Sequence, residues 1–479
     1  MMKRIGIFAV MSLLCVGMAM AQAGAPGAAK SEATSGATAL SHDPAEPLTG
    51  APHPKILPRP AGAITRASID EKSMRKLIHD EVSCGTRLTL SSWTDPKRGI
   101  GCGRDFVVAR LNEIAKDSGG KLQVVVDKFE SKSERTGPDP VQLENVYGIL
   151  PGSDQKLAKT VYIVVGDFDS RPSDVMDPNA DAPGADDDAS GTAVSVECAR
   201  QLSKIAASGK SKIRATVLFG VLAGEEQGLL GAYRLLDWAK EQGYTVGAMM
   251  DNDIVGADTA PGGPHRVRVF SGNGEIEDAD SPARELARAI EEINGRSAIR
   301  MIFRQDRYGR GGDHYPFYKA GLPAVRFTEP LEDYNHQHQT PRTENGVEYG
   351  DFEKYLNFAF MGNVARDNAE VLRQLALAPA PPANVKLTGA VTPDAKVSWA
   401  AEDDPERAGF EILWRETTEA RWSVFDFAEA AGKSVLKNVS TDNHFFAVRS
   451  VGKNGARSIA VVAEAERRAP PLPSNAPKQ

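Results

Sequence analysis

Past its first 23 residues the sequence has no apolar run approaching the roughly 18 residues that cross a bilayer as a helix. That absence excludes a helical membrane span in the rest of the chain. Positive charge is not in excess either, with a formal net charge of −7. Removing Lys3 and Arg4 with an N-terminal leader takes two positive charges from −7 and leaves −9, so nonspecific nucleic-acid binding has no electrostatic footprint. Aromatic residues are only 7%, against 44 glycines and 30 prolines, which points to a loop-rich protein and not to a long helical bundle. Hydrophobic residues at 41% and charged residues at 25% rule out a largely disordered or collagen-like chain. At about 150 residues per domain, 479 residues allow about three units, counting leader and linkers as less than a whole one. The expectation is a soluble, globular mature protein.

Met1 to Arg4 is a short basic segment, and Ile5 to Met20 is apolar without a charge. Ala19-Met20-Ala21 and Ala21-Gln22-Ala23 both offer the small-x-small spacing of a signal-peptidase site. Residues 1–23 therefore read as a signal peptide and the protein as exported, either periplasmic or extracellular. Export implies an oxidising compartment. Of the cysteines beyond the leader, Cys84 and Cys102 flank one loop, while Cys198 sits in an apolar helical run. One Cys84–Cys102 disulfide and one buried thiol are expected, with three free thiols as the alternative.

Residues 24–66 are rich in Ala, Gly, Pro and Ser without an apolar period, and read as a flexible lead-in. Strand-like and helix-like segments alternate from 67 to 377. Val161–Val165 and Ala215–Leu222 are short apolar runs of the buried-strand type, and Ala248-Met249-Met250 leads into a third. Val194, Cys198, Leu202 and Ile205 recur at helical spacing, Ser281-Pro282 opens another helix, and a long helix is expected over about 351–376. Alternation of this kind predicts an α/β fold, a mixed, mostly parallel central sheet covered by helices on both faces. Residues 378–383 form a stiff Pro-rich linker that should leave the flanking parts separable. Over 384–468 the period changes to two, with Val397 and Trp399, then Phe410, Ile412 and Trp414, then Phe446 and Val448. Short strands separated by turns such as Lys453-Asn454-Gly455 predict an all-β sandwich. The Pro-Pro start, Trp399, Trp422 and the Gly455–Ser458 ending resemble a fibronectin type III domain, although His444 and Phe445 stand where that family usually has tyrosine. Residues 469–479 read as a disordered tail.

Carboxylates gather where the apolar strands end, the place where α/β folds build their sites. Asp167 and Asp169 lie at i and i+2, on one side of an extended segment. Asp186, Asp187 and Asp188 open a helix from a glycine-rich turn. Glu225 and Glu226 follow one strand, Asp251 and Asp253 end another, and His336 and His338 come far along the chain. Taken singly, each is what a solvated acidic loop looks like. Converging carboxylates repel unless a cation neutralises them, and carboxylate with imidazole suits zinc or a related divalent ion.

In order and spacing, Ala182-Pro-Gly-Ala-Asp-Asp-Asp-Ala-Ser-Gly191, Gly224-Glu-Glu-Gln-Gly228, Asp253-Ile-Val-Gly256 and His336-Gln-His338 resemble the co-catalytic zinc aminopeptidases of clan MH. Bacterial leucyl aminopeptidase is the familiar member. Gly309–Phe317 and Gly321–Val325 look similar as well, and the resemblance covers about residues 70–375. It implies that Asp187 bridges two metals. Glu226 and His338 would bind one of them, with His336 as the alternative to His338. Asp167 and Asp253 would bind the other, with Asp251 as the alternative to Asp253. Glu225 would be the general base and Asp169 would orient a metal ligand from behind. Asp313 and His314 would support the site, and Tyr308 lies close to where relatives keep an oxyanion-stabilising tyrosine. The pattern breaks once, because Asp167 stands where the family has histidine. An all-oxygen set of Asp167, Asp187 and Asp253 should hold its ion weakly, prefer manganese or magnesium, or stay empty beside one tightly held Zn2+.

The function so implied is an exported zinc-dependent aminopeptidase acting on peptides with a free N-terminus, through metal-activated water and a Glu general base. Two rivals remain. One is a mono-zinc glutaminyl cyclase-like enzyme, whose metal set is likewise one Asp, one Glu and one His. The other is an inactive peptidase-fold binding protein, against which the retention of Glu225 beside Glu226 argues.

Overall fold

The computed structural model describes residues 56–274 and 280–466. The signal-peptide reading, most of the lead-in and the expected disordered tail lie outside the described residues. The central sheet has eight strands. They are β1 (Gln123–Ser131), β2 (Val141–Leu150), β3 (Thr160–Asp167), β4 (Thr216–Leu222), β5 (Thr245–Asn252), β6 (Val267–Phe270), β7 (Ile299–Ile302) and β8 (Ala324–Thr328). Their order is β1-β2-β4-β3-β5-β8-β6-β7. Four neighbouring pairs run parallel and three, β1/β2, β2/β4 and β6/β8, run antiparallel. This is the mixed, mostly parallel sheet that the alternation predicts.

The apolar runs become its centre because each feeds two cores. In β3, Val161, Ile163 and Val165 pack on one side with Leu235 and Trp238 of α4 (Leu230–Glu241). Tyr162 and Val164 point the other way, into the core of α3 (Ala189–Ser208) and the C-terminal helix Phe358–Leu377. The C-terminal helix starts later than the expected 351. Asn357 caps it, accepting from the Phe360 amide at 3.1 Å, while Asp351 is used elsewhere. Strands β3, β4 and β5 run the same way, so all three end at one edge. Asp167 pairs with Leu222 there, and Val165 with Asp251.

Cys84 and Cys102 are joined in a disulfide and Cys198 is a buried thiol, as expected. Between Ala383 and Ala465, two four-stranded sheets enclose Trp399, Phe410, Ile412, Trp414, Phe446 and Val448. This is the sandwich read from the period-two pattern. It does not hang on a tether. Ala378 is buried directly after the C-terminal helix, and Arg415 pairs with Asp280 at 2.6 Å across the junction. Trp422 Nε1 donates to Glu285 Oε2 at 2.6 Å, and Arg449 meets Glu292 at 2.5 Å. The parts expected to be separable are in contact, through charged side chains that hydropathy reads as surface. Residues 57–66 are likewise held by hydrogen bonds to the folded body where a flexible lead-in was expected. Arg457 donates to the Leu57 carbonyl at 2.7 Å, and the Ile64 amide donates to Glu370 at 2.9 Å.

Candidate metal centre

The three acids at the start of α3 divide their labour. Asp188 is the helix N-cap, accepting from the Gly191 amide at 2.9 Å. Its carboxylate also accepts from the Asp167 amide at 3.1 Å and the Ile254 amide at 3.2 Å, tying the ends of β3 and β5 to the helix. Asp186 accepts from Gly256 N at 2.7 Å. Asp351 reaches back to accept from the amides of Asp186 and Asp187 at 2.9 and 2.8 Å. The close approach is possible because residue 191 is glycine: a Cβ there would stand 1.9 Å from the Asn252 carbonyl. With its neighbours so occupied, Asp187 is the acid left to face the site.

There it meets His338, whose Nε2 lies 2.8 Å from Asp187 Oδ2 and 3.1 Å from Glu226 Oε1. Ligand atoms of Asp187, Glu226 and His338 all lie within 4.8 Å of one another. Burial alone would lower the His338 imidazole, yet Glu226 and Asp187 push it up to about 10. The two carboxylates thus demand a positive charge between them. One nitrogen and two carboxylate donors form a set that zinc accepts. Gln337 Nε2 donates to Asp187 Oδ2 at 3.2 Å, and Arg171 stands 3.5 Å from Glu226 Oε2. His336 is not in this group. It stacks on Tyr355 at 3.6 Å and pairs with Asp333 at 3.0 Å.

Glu225 and Glu226 sit on the turn after β4, and Asp169 holds that turn. Its fully buried carboxylate accepts from the amides of Gly224 at 2.7 Å, Glu225 at 3.2 Å and Glu226 at 3.2 Å, and from Thr89 Oγ1 at 2.8 Å. Asp169 therefore acts on the backbone that aims both glutamates. Burial first, then the charges of Asp253, Glu226 and Asp313, push the Glu225 carboxyl well above the usual range. Among the described residues, neither oxygen of Asp313 and not Oδ1 of Asp253 has a hydrogen-bond partner. Negative charge is in surplus here.

Asp167 and Asp253 are not part of the trio: Asp253 lines the same pocket, whereas Asp167 is buried at the end of β3 and does not. Asp253 Oδ2 is paired with the Arg326 guanidinium at 2.6 Å. Asp251, the alternative ligand, accepts instead from the His314 amide and lies 3.2 Å from its Nδ1, while His314 Nε2 faces the Gln305 carbonyl at 2.9 Å. His314 thus braces the end of β5. Tyr308 is 86% exposed under Arg304 and does not line the pocket. The pocket itself, about 480 Å³, opens over Asp187, Glu225, Glu226, Asp253 and His338, with Glu134, Arg135, Arg171, Arg307 and Arg310 around it. Sequence reasoning missed Arg326, Arg171 and Gln337. A lone arginine inside the apolar run Ala324–Phe327 was the signal available for the first.

Residues 145–355 match the profile of Peptidase family M28. The chain is 39% identical to a probable zinc metalloprotease of Leptosphaeria maculans, over 82% of this chain and 94% of that one. It is 40% identical to a probable zinc metalloprotease of Pyrenophora tritici-repentis, over 83% and 95% of the two chains. Among solved structures it is similar to the LapA aminopeptidase of Legionella pneumophila, with 18% identity and a TM-score of 0.49 over 66% of this chain and 72% of that one.

Proposed function

Because the chain belongs to peptidase family M28, we propose that this metallopeptidase is an exported zinc aminopeptidase, removing single residues from the free N-termini of peptides. The observation that carries the reading is the convergence of Asp187, Glu226 and His338 within 4.8 Å beside Glu225, which stays outside that trio. Asp187, Glu226 and His338 would hold zinc, which would supply the Lewis acidity that polarises a carbonyl and acidifies a water. Glu225 takes the proton from that water and hands it to the leaving amine, which requires a carboxylate not tied up as a ligand. Asp169 keeps the two glutamates aimed apart through their amides. Carboxylates lining the pocket hold the substrate's α-ammonium, so a chain end is accepted where an internal peptide bond is not. The C-terminal sandwich, read as fibronectin type III-like, contributes no group to this chemistry.

A second reading follows from the same trio, since one Asp, one Glu and one His also make the metal set of a mono-zinc glutaminyl cyclase-like enzyme. Three substrates separate the readings: an aminoacyl chromogenic amide, its N-acetylated form, and a peptide beginning with glutamine. The aminopeptidase cleaves the first, spares the second and shortens the third, each in a chelator-sensitive way. Ammonia release from the glutamine peptide without shortening selects the cyclase. No chelator-sensitive turnover of any of them overturns both.

A further inference from the structure

Arg326 sits in the middle of β8, a strand whose five residues are all buried. Burying a guanidinium without partners is costly, and here the partners are the site. Nη1 lies 2.6 Å from Asp253 Oδ2 and donates to the Gly311 carbonyl at 2.9 Å. Nη2 donates to the Asp253 carbonyl at 3.3 Å, and Asp306 Oδ2 stands 3.9 Å from Nη1. Room has been made for it: a Cβ on residue 312, a glycine, would stand 2.4 Å from Nη1 and 2.8 Å from Asp251 Oδ2. Pairing of β8 with β5 sets Arg326 opposite Asp251, two residues before Asp253.

We propose that Arg326 is the second cation of this site: its guanidinium neutralises Asp253 where a second metal ion would otherwise do so, and the enzyme works with one zinc. The proposal rests on the reading of Asp187, Glu226 and His338 as the zinc ligands. A metal at the second position would have Asp167, Asp187 and Asp253 as donors, all oxygen, with no imidazole to favour zinc. It would compete with a cation that cannot be deprotonated and cannot be washed out. An incoming ion would have to expel that charge from a pocket shaped around it. Arg326 has no open coordination position and so supplies no Lewis acidity. It is a positioning residue that fixes Asp253 and sets a permanent positive charge within electrostatic reach of Glu225.

The test is zinc content by elemental mass spectrometry, after loading with excess zinc and desalting, on the full chain as wild type, Asp167→His and Asp167→His/Arg326→Met. The expected contents are about one, about one and about two zinc ions per chain. Ligand softness alone would let Asp167→His gain the second ion, so that variant, which keeps the buried ion pair, decides the matter even if the double variant does not fold. Two zinc ions in wild type, or in Asp167→His with Arg326 in place, overturn the proposal and leave the zinc reading standing. A folded double variant that stays at one also overturns it. No zinc in wild type, together with no chelator-sensitive hydrolysis, overturns the zinc reading and the proposal with it.

Discussion

The molecule buries charge in two regions and treats it in opposite ways. Where the sandwich docks, acids are matched by arginines. Glu411, fully buried, meets Arg449 at 2.6 Å and Arg457 at 2.8 Å. Asp280 meets Arg288 and Arg415, both at 2.6 Å. Glu292, at the exposed rim of the dock, meets Arg449 at 2.5 Å and Arg59 at 2.6 Å. At the ends of β3, β4 and β5 the same residue types are left over. Asp167, Asp187, Glu225, Glu226, Asp253 and Asp313 stand among His338, Arg326 and Arg171, while Arg307 and Arg310 at the pocket wall are shared with Glu332. Oxygens of Asp253 and Asp313 find no hydrogen-bond partner among the described residues. The first arrangement is complete within the chain and serves architecture. The second is complete only with an added cation, and unbalanced buried charge of that kind is where chemistry is placed.

The contrast can be broken from either side. The largest effect is expected from His338→Ala, which removes the one imidazole of the trio. Retained zinc should fall at least tenfold and turnover by on the order of a thousandfold, read by elemental analysis beside kinetics. At the dock, Arg449→Met leaves Glu411 and Glu292 short of a partner. Removing one member of a buried pair costs about 3–5 kcal/mol, so the urea midpoint should drop while the folded fraction keeps its kcat on small substrates. Glu81 sharpens the comparison, because it belongs to neither region. It is fully buried in the helix Glu71–Val82, with neither oxygen hydrogen-bonded among the described residues, and burial, opposed by Arg87, pushes it up to about 8. A carboxyl raised on folding contributes stability that is present below its unfolded pKa and lost as pH rises through about 8. Glu81→Gln should therefore be neutral near pH 4 and stabilise by on the order of 3 kcal/mol at pH 8, checked by melts across that range. The smallest effect is expected from Asp169→Asn, which weakens the grip on the Glu225–Glu226 turn. A loss of about 10–100-fold in kcat, with one zinc retained, would mark it as a positioning residue.

Much of this was legible in the residues. The apolar runs at Val161–Val165 and Ala215–Leu222 are buried on both faces, and such strands carry their own signature. The acids that follow them mark the site because a carboxylate at the end of a buried strand has few other reasons to be there. What could not be read was how identical groups share work. No local pattern separates Asp186, Asp187 and Asp188; the family resemblance alone pointed to Asp187, and the hydrogen bonds from Gly256 and Gly191 are what occupy its two neighbours. His338 was preferred to His336 on motif position, and the structure adds where the rings point: His338 to Asp187 and Glu226, His336 to Tyr355 and Asp333. Arg326 was passed over as one charge in a strand, since no local pattern says that a guanidinium 73 residues after Asp253 returns to it. The dock was misjudged for a related reason. Its adhesive is Arg and Glu, which a hydropathy pattern assigns to solvent.

The central claim is that this surplus of carboxylates is a zinc hydrolase site with Glu225 as its base. It is tested most directly by Glu225→Gln, with kcat on an aminoacyl amide and zinc content measured on the same sample. The account predicts zinc content equal to wild type and a kcat lower by about 10²–10⁴. Wild-type turnover in the zinc-loaded variant would contradict it.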